Sequence, residues 1–192
     1  MMTMVAPPLP MSGPKNTKTW DIDPAHSSAE FAVRHMMISS VTGRFNSLRG
    51  SIEYDPAAPT LGRAEAEIDA RTIDTGVEDR DTHLRSPDFF DVANHPTISF
   101  RGTAVETGDG DEGRLAGELT IRGVTRAVAL DVEKEGEGVD PWGNARVAFL
   151  AKATLNRKDF GVSWNQVLDN GGVLVGDKVK VTLRIEAIAR KA

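Results

Sequence analysis

Side chains able to act together gather in one stretch, Arg80-Asp-Thr-His-Leu-Arg-Ser-Pro-Asp-Phe-Phe-Asp91, followed by Asn94-His95-Pro96. Together they carry two of the four histidines, and the first includes the adjacent Phe89 and Phe90. A second charged run, Asn156-Arg-Lys-Asp-Phe-Gly-Val-Ser-Trp-Asn165, lies nearer the C-terminus. Arg80, Arg85 and Arg157 can fork onto an anionic oxygen, and His83 can donate to a carbonyl oxygen. Equally, Arg80 with Asp79 and Asp81 can form an internal cluster of ion pairs and caps that holds its own segment in place. His26, His35, His83 and His95 could converge on a metal, but no pair has the helical spacing of a zinc motif. Asp88 and Asp91 with His95 could act as acid and base, although aspartates near strand starts usually serve as caps. No phosphate loop or nucleophile elbow is present, and the glycine-rich run Gly108–Gly113 is acidic and would repel phosphate. No catalytic set, metal site or cofactor is therefore assigned.

These residues interrupt a chain that otherwise reads as strand after strand. Its 192 residues suit one domain, with 40% hydrophobic and 27% charged residues. A net charge of -5 argues against nucleic acid, which requires a basic surface. The absence of cysteine rules out disulfides and thiolate chemistry. Residues 1–18 are rich in proline and read as a disordered leader, leaving 19–190 as the folded domain. The leader has neither the basic start nor the unbroken apolar run of a secretory signal, and no segment approaches a membrane-spanning length. A cytoplasmic location without stable membrane insertion is the expectation.

Phe31, Val33 and His35 alternate with polar neighbours, the period-two mark of a half-buried strand. Val41 to Tyr54 forms a longer strand whose phase slips near Asn46-Ser47, which predicts a bend. Ala64, Ala66, Ile68 and Ala70 alternate with Arg63, Glu65, Glu67 and Asp69. Asp74 or Thr75 is expected to cap a short helix through Leu84, stopped by Pro87. Thr97–Glu106, the Leu115–Ile121 face, Val128–Val132, Ala145–Leu155 and Asp177–Ala189 follow as strands. Gly136–Gly143 reads as a polar connection. About eight sequential strands, each with one wet face, close most simply into an up-and-down antiparallel barrel.

The inward positions hold many small residues: Ala64, Ala66, Ala70, Gly102, Ala104, Gly117, Ala145, Ala151 and Ala153. Such a lumen either contains something apolar or lets the strands coil tightly while aromatic side chains fill the gap.

Several motifs then align with a known family. They are Trp20-Asp-Ile-Asp-Pro24 with His26-Ser27; Phe31-Ala-Val-Arg-His-Met36; Val41-Thr-Gly-Arg-Phe45; Arg80-Asp-Thr-His-Leu84 with Phe89-Phe-Asp91 and Pro96; Gly117–Thr125; and Arg157-Lys-Asp-Phe-Gly161 with Trp164. In these stretches, from Trp20 to Glu186, the chain resembles the YceI-like family of lipocalin-like proteins. The resemblance implies an all-β, extended eight-stranded antiparallel lipocalin-like barrel with a short helical insert. It also implies a lumen that binds a long amphiphilic lipid, an isoprenoid quinone or a polyprenyl phosphate, and a homodimer. Many such proteins are exported; this chain departs from them in its leader. The residues expected to meet the ligand are Phe31, Val33, His35, Phe45, Ile68, Phe100, Leu119, Phe149 and Ala151 in the lumen, and Arg80, His83 and Trp164 near a mouth. Trp164 either closes that mouth or anchors its own loop. Two alternatives stand beside this carrier: a metal-dependent or isomerase-like enzyme inside the barrel, and a dimeric stress-response protein with a filled core.

Overall fold

The computed structural model describes residues 17–55, 62–107 and 111–191. Most of the expected leader, the turn around Pro56 and Pro59, and part of the Gly108–Gly113 turn lie outside the described residues. The strands are β1 (Lys18–Ile22), β2 (Ser28–His35), β3 (Ser39–Phe45), β4 (Leu48–Tyr54), β5 (Arg63–Asp69) and the short β6 (Ile73–Asp74). After helix α1 (Glu78–Arg85) come β7 (Thr97–Thr107), β8 (Glu112–Ile121), β9 (Val124–Val139), β10 (Ala145–Asn156) and β11 (Val175–Ala189). Two long strands are each broken once. β1 and β2 form the first, interrupted around Pro24, whose ring leaves no N–H for the ladder. Ser27 bridges that break, its hydroxyl donating to the Glu186 carbonyl and accepting from the Glu186 amide. β3 and β4 form the second, bent at Asn46-Ser47 as the phase slip predicts.

Counted this way, eight antiparallel strands pair each with its neighbour in sequence and close into a barrel. Closure is made by β11, which pairs with β2 (Leu183 opposite Ala29) and then with β1 (Ala187 opposite Ile22). One end of the barrel carries the Met36–Ile38 turn, the insert 70–96, the Arg122-Gly123 turn and the segment 157–174; we call it the lid end. The other, far end carries the Asp140–Asn144 turn and the outer ends of β4, β7 and β11.

Two expectations about the elements are corrected. The helix begins after Val77, which makes no side-chain capping bond, so neither Asp74 nor Thr75 is its cap. Asp74 instead belongs to β6, paired with Arg44 of β3, while Asp81 inside the helix reaches back to Thr75. The connection expected over Gly136–Gly143 shrinks to Asp140–Asn144, because β9 stays paired with β10 as far as Val139. The small inward residues also divide into two groups. A Cβ at Gly117 would collide with the Arg101 carbonyl, and one at Gly102 with the Leu115 side chain. These glycines let neighbouring strands coil closely and do not widen the lumen. Ala66, Ala151 and Ala153 do border open space inside the barrel.

Side chains pack into two buried clusters, one of them at the far end. Trp20, Tyr54, Val147 and Ala187 form one buried cluster there; Ile22, Ala29 and Leu48 form a second, against Leu183 and Ile185. On the outside, Arg146 ties β10 to its surroundings through Asp23 (2.8 Å), Asp140 (2.9 Å) and Glu186 (2.6 Å).

Candidate functional site

The alternation of each strand turns one parity inward, and the inward set encloses two chambers that share walls. The lid-end chamber, about 200 Å³, is walled by Phe31, Val33, Phe45, Ile68, Phe100 and Leu119 among others. The far chamber, about 270 Å³, is walled by Ile52, Tyr54, Val132, Phe149 and Ala151 among others. Ala66, Phe100, Leu130, Leu183 and Ile185 border both, so the two chambers adjoin in mid-barrel. Eight of the residues expected to meet a ligand therefore face one lumen: Phe31, Val33, Phe45, Ile68, Phe100, Leu119, Phe149 and Ala151. His35, Arg80, His83 and Trp164 do not line either chamber.

The lid is built from the two irregular segments. Leu84, Phe89 and Phe90 of the insert and Phe160 and Val162 of the second segment close the chamber from above. Helix α1 has only eight residues and a mostly polar sequence, so it depends on tertiary contacts rather than on propensity. Asp81 supplies one such contact: buried, its carboxylate accepts from the Thr75 amide (2.9 Å) and the Thr75 hydroxyl (2.6 Å). Arg80 donates to the Thr75 hydroxyl (2.7 Å) and carbonyl (3.0 Å). Arg85 donates to the carbonyls of Arg71 and Ile73. Arg80 and Arg85 thus hold the insert together, and Arg80 does so through Thr75, with no ion pair to Asp79 or Asp81 among the described residues. Aromatic contacts join the segments. Trp164 lies 4.7 Å from the His83 ring and 5.3 Å from that of Phe89, while His83 also bonds Asp88 (2.9 Å). Arg122 finishes the strap, donating to the carbonyls of Phe89 and Gly161.

Arg157 does border the lid-end chamber, but its guanidinium is already occupied. It donates to the carbonyls of Gly176, Val162, Trp164 and Val175. Burial pulls its pKa down, with Asp177 at 3.6 Å opposing the shift. Glu30, the other charged residue bordering this chamber, bonds Arg184 and Ser28. The lid-end chamber consequently offers an apolar surface with no spare hydrogen-bonding group.

The far mouth is different. Lys134 follows Val128, Leu130 and Val132 on the inward parity of β9, so a cation stands where the pattern calls for an apolar residue. Glu135 is extra in the ladder: Ala148 opposes Gly136 and Phe149 opposes Lys134. The kink brings Glu137 to 2.8 Å from the Lys134 ammonium. That bond raises the lysine pKa, aided by the nearby Tyr54 and Asp111. Tyr54 is buried, with its ring held edge-on to Phe149 (5.4 Å) and tilted against Trp20 (6.5 Å). Its carbonyl accepts from the Trp20 indole (3.4 Å), and its hydroxyl makes no hydrogen bond to a described residue. Neither Tyr54 nor Lys134 was among the residues singled out from the sequence, although simple continuation of the inward parity in β4 and β9 reaches both.

The histidines do not converge. His26 bonds Asp23, His83 bonds Asp88, and His95 sits against Gly123. Among the described residues the single trio spaced to hold a metal is Asp23, His26 and Glu186. The Arg146 guanidinium already occupies it, bonded to both carboxylates.

The profile of the YceI-like domain matches residues 20–187. A UPF0312 protein of Pseudomonas aeruginosa is 36% identical over 168 residues, which is 88% of this chain and 84% of that protein. The crystal structure of Burkholderia cenocepacia BcnA superposes with a TM-score of 0.76 at 23% identity, covering 86% of this chain and 98% of that one. A polyisoprenoid binding domain from Saccharophagus degradans superposes with a TM-score of 0.64 at 15% identity, covering 91% of this chain and all of the other.

Proposed function

The chain belongs to the YceI-like family, and from that premise we propose that it binds a long amphiphilic isoprenoid lipid inside the barrel, as a carrier or store and not as an enzyme. One observation carries the proposal: an apolar chamber lies beneath an aromatic lid and adjoins a second chamber, apolar inside and charged at its mouth, farther along the barrel. An isoprenoid tail has no hydrogen-bonding groups, and the lid-end chamber offers none. At ~0.8 kcal/mol per buried carbon, each five-carbon unit contributes up to ~4 kcal/mol. A handful of units would reach the ~18–21 kcal/mol ceiling on non-covalent affinity, so ordering costs must offset part of the gain. Tail length is then loosely specified, and selectivity falls to the head group. The likeness in fold to a polyisoprenoid binding domain agrees with this reading. A filled core is disfavoured by the same chambers, and a histidine-based metal enzyme by the dispersal of the histidines.

The test is native mass spectrometry of protein purified without detergent, followed by organic extraction. A co-purifying mass that fragments in isoprene units supports the carrier. A bare polypeptide that also takes up no added polyprenyl quinone would overturn it.

A further inference from the structure

We propose that the lipid lies in one direction, with its tail under the lid and a neutral, oxygen-accepting head group between Tyr54 and Lys134 at the far mouth. This inference rests on the lumen-carrier reading and adds to it an orientation and a class of head group.

The lining of the lid-end chamber has no donor left for a head group. Arg157 spends its donors on four carbonyls, Arg80 on Thr75, and Arg85 on two carbonyls and Glu78. Besides the exposed Arg63, two side chains bordering the far chamber keep donors to spare among the described residues. Tyr54 accepts from the Trp20 indole through its carbonyl, and its side chain borders the chamber with no hydrogen bond from its hydroxyl to a described residue. The Lys134 ammonium, on a side chain 21% exposed, has three N–H bonds and, among the described residues, one partner, Glu137. Both residues stand on inward parities, and the aromatic contacts of Tyr54 with Trp20 and Phe149 fix where its hydroxyl sits. A phenol and an ammonium at the mouth of an apolar tube suit a ring carbonyl or similar oxygen.

Charge decides against a diphosphate. The other ionisable groups bordering this mouth are Arg63, Glu65, Asp111 and Glu112, with Glu137 on Lys134. Glu65 is paired with Arg101. Asp111, Glu112 and Glu137 therefore stand against Arg63 and Lys134, and a multiply charged head would meet a surplus of carboxylates. A neutral acceptor meets no such opposition.

Two measurements test the proposal. In the first, wild type, Tyr54→Phe and Lys134→Met are titrated with a polyprenyl quinone, with squalene as an isoprenoid lacking a head, and with a polyprenyl diphosphate of matched length. The ratio of quinone to squalene affinity should fall about tenfold in each variant, the worth of one hydrogen bond. The diphosphate should bind wild type more weakly than the quinone does. Equal ratios in all three proteins, or a diphosphate that binds as tightly as the quinone, would overturn the head-group assignment and leave the lumen reading standing. Failure of squalene to bind wild type would overturn the lumen reading itself. The second measurement locates the ring by fluorescence, since quinones quench nearby indoles. Trp20 contacts Tyr54 at the far end, whereas Trp164 lies in the lid. A Trp142→Phe/Trp164→Phe protein, keeping Trp20, should be quenched strongly by the bound quinone, and a Trp20→Phe/Trp142→Phe protein, keeping Trp164, weakly. The reverse order would invert the orientation.

Discussion

Replacing Ala151 with phenylalanine separates an open lumen from a filled core. Ala151 is 6% exposed, lies on β10 opposite Leu183 and Val132, and borders the far chamber of about 270 Å³. A cavity of ~150 Å³ lined by apolar side chains accepts a benzene-sized ring. The new ring therefore fits the chamber without displacing its walls and takes up more than half of it. Were the core filled, the same change would overpack it at a cost of ~1–3 kcal/mol. A bound tail would lose room for about five carbons, worth ~4 kcal/mol, so affinity should fall roughly a thousandfold. Urea unfolding reports stability, and titration with a polyprenyl quinone reports binding. The expected result is a wild-type or higher urea midpoint together with the large loss of affinity. A folded variant that binds within threefold of wild type would show that the tail does not use the far chamber. A midpoint lowered by the equivalent of ~2 kcal/mol would show that the space is not open.

Other outcomes follow from the lid and the outer ion pairs. Arg157→Met leaves several buried carbonyls without donors and should cost about 3 kcal/mol in urea unfolding; a loss under ~0.5 kcal/mol would mean water replaces the guanidinium. Asp81→Ala removes the acceptor for the Thr75 amide and hydroxyl, so amides of the insert should exchange about tenfold to a hundredfold faster while those of β8–β10 stay protected. Uniform acceleration across the barrel would show that the lid is not a separate unit. Arg146 holds the Asp23 pKa down at about 2, and Asn144 with Arg146 holds that of Asp140 lower still. Both values lie below the ordinary 3.8, so the two carboxylates add stability above about pH 4. Asp23 gives up its share as the pH falls to about 2 and Asp140 at lower pH still, so melting temperature should drop across that range, less steeply in Asp23→Asn. An identical slope in that variant would remove Asp23 from the acid response.

The barrel was legible because each strand obeys a period of two and turns occur at regular intervals. Even the Asn46-Ser47 bend showed itself as a change of phase. Less legible was the helix start, since Asp74 and Thr75 look like caps yet are drawn into a β pairing and a bond to Asp81. That competition depends on β3 lying alongside, which local sequence does not record. The Met36-Met37 turn was also silent. Both residues have positive φ, 49° and 62°, a conformation usually marked by asparagine and glycine. The arginines looked like anion binders because donor-rich side chains in an irregular segment suit either role. Only the structure shows that backbone carbonyls consume them. Tyr54 and Lys134 were within reach of the parity argument, but a lysine in an inward register reads as the end of a strand, and β9 does not end there.

The closure of the barrel by β11 bears on how the protein is made. Seven of its eight neighbour pairings join segments adjacent in sequence and can zip progressively as the chain emerges. The eighth joins Ala189 to Trp20 and Leu183 to Ala29, the longest sequence separation in the fold. Loop-closure entropy and high contact order make that step the slow one. Until it happens, the first and last strands are open edges, able to pair with another copy of themselves. The lumen does not exist before the final 15-residue strand is seated. Any apolar molecule that binds only the closed barrel would therefore favour closure by mass action.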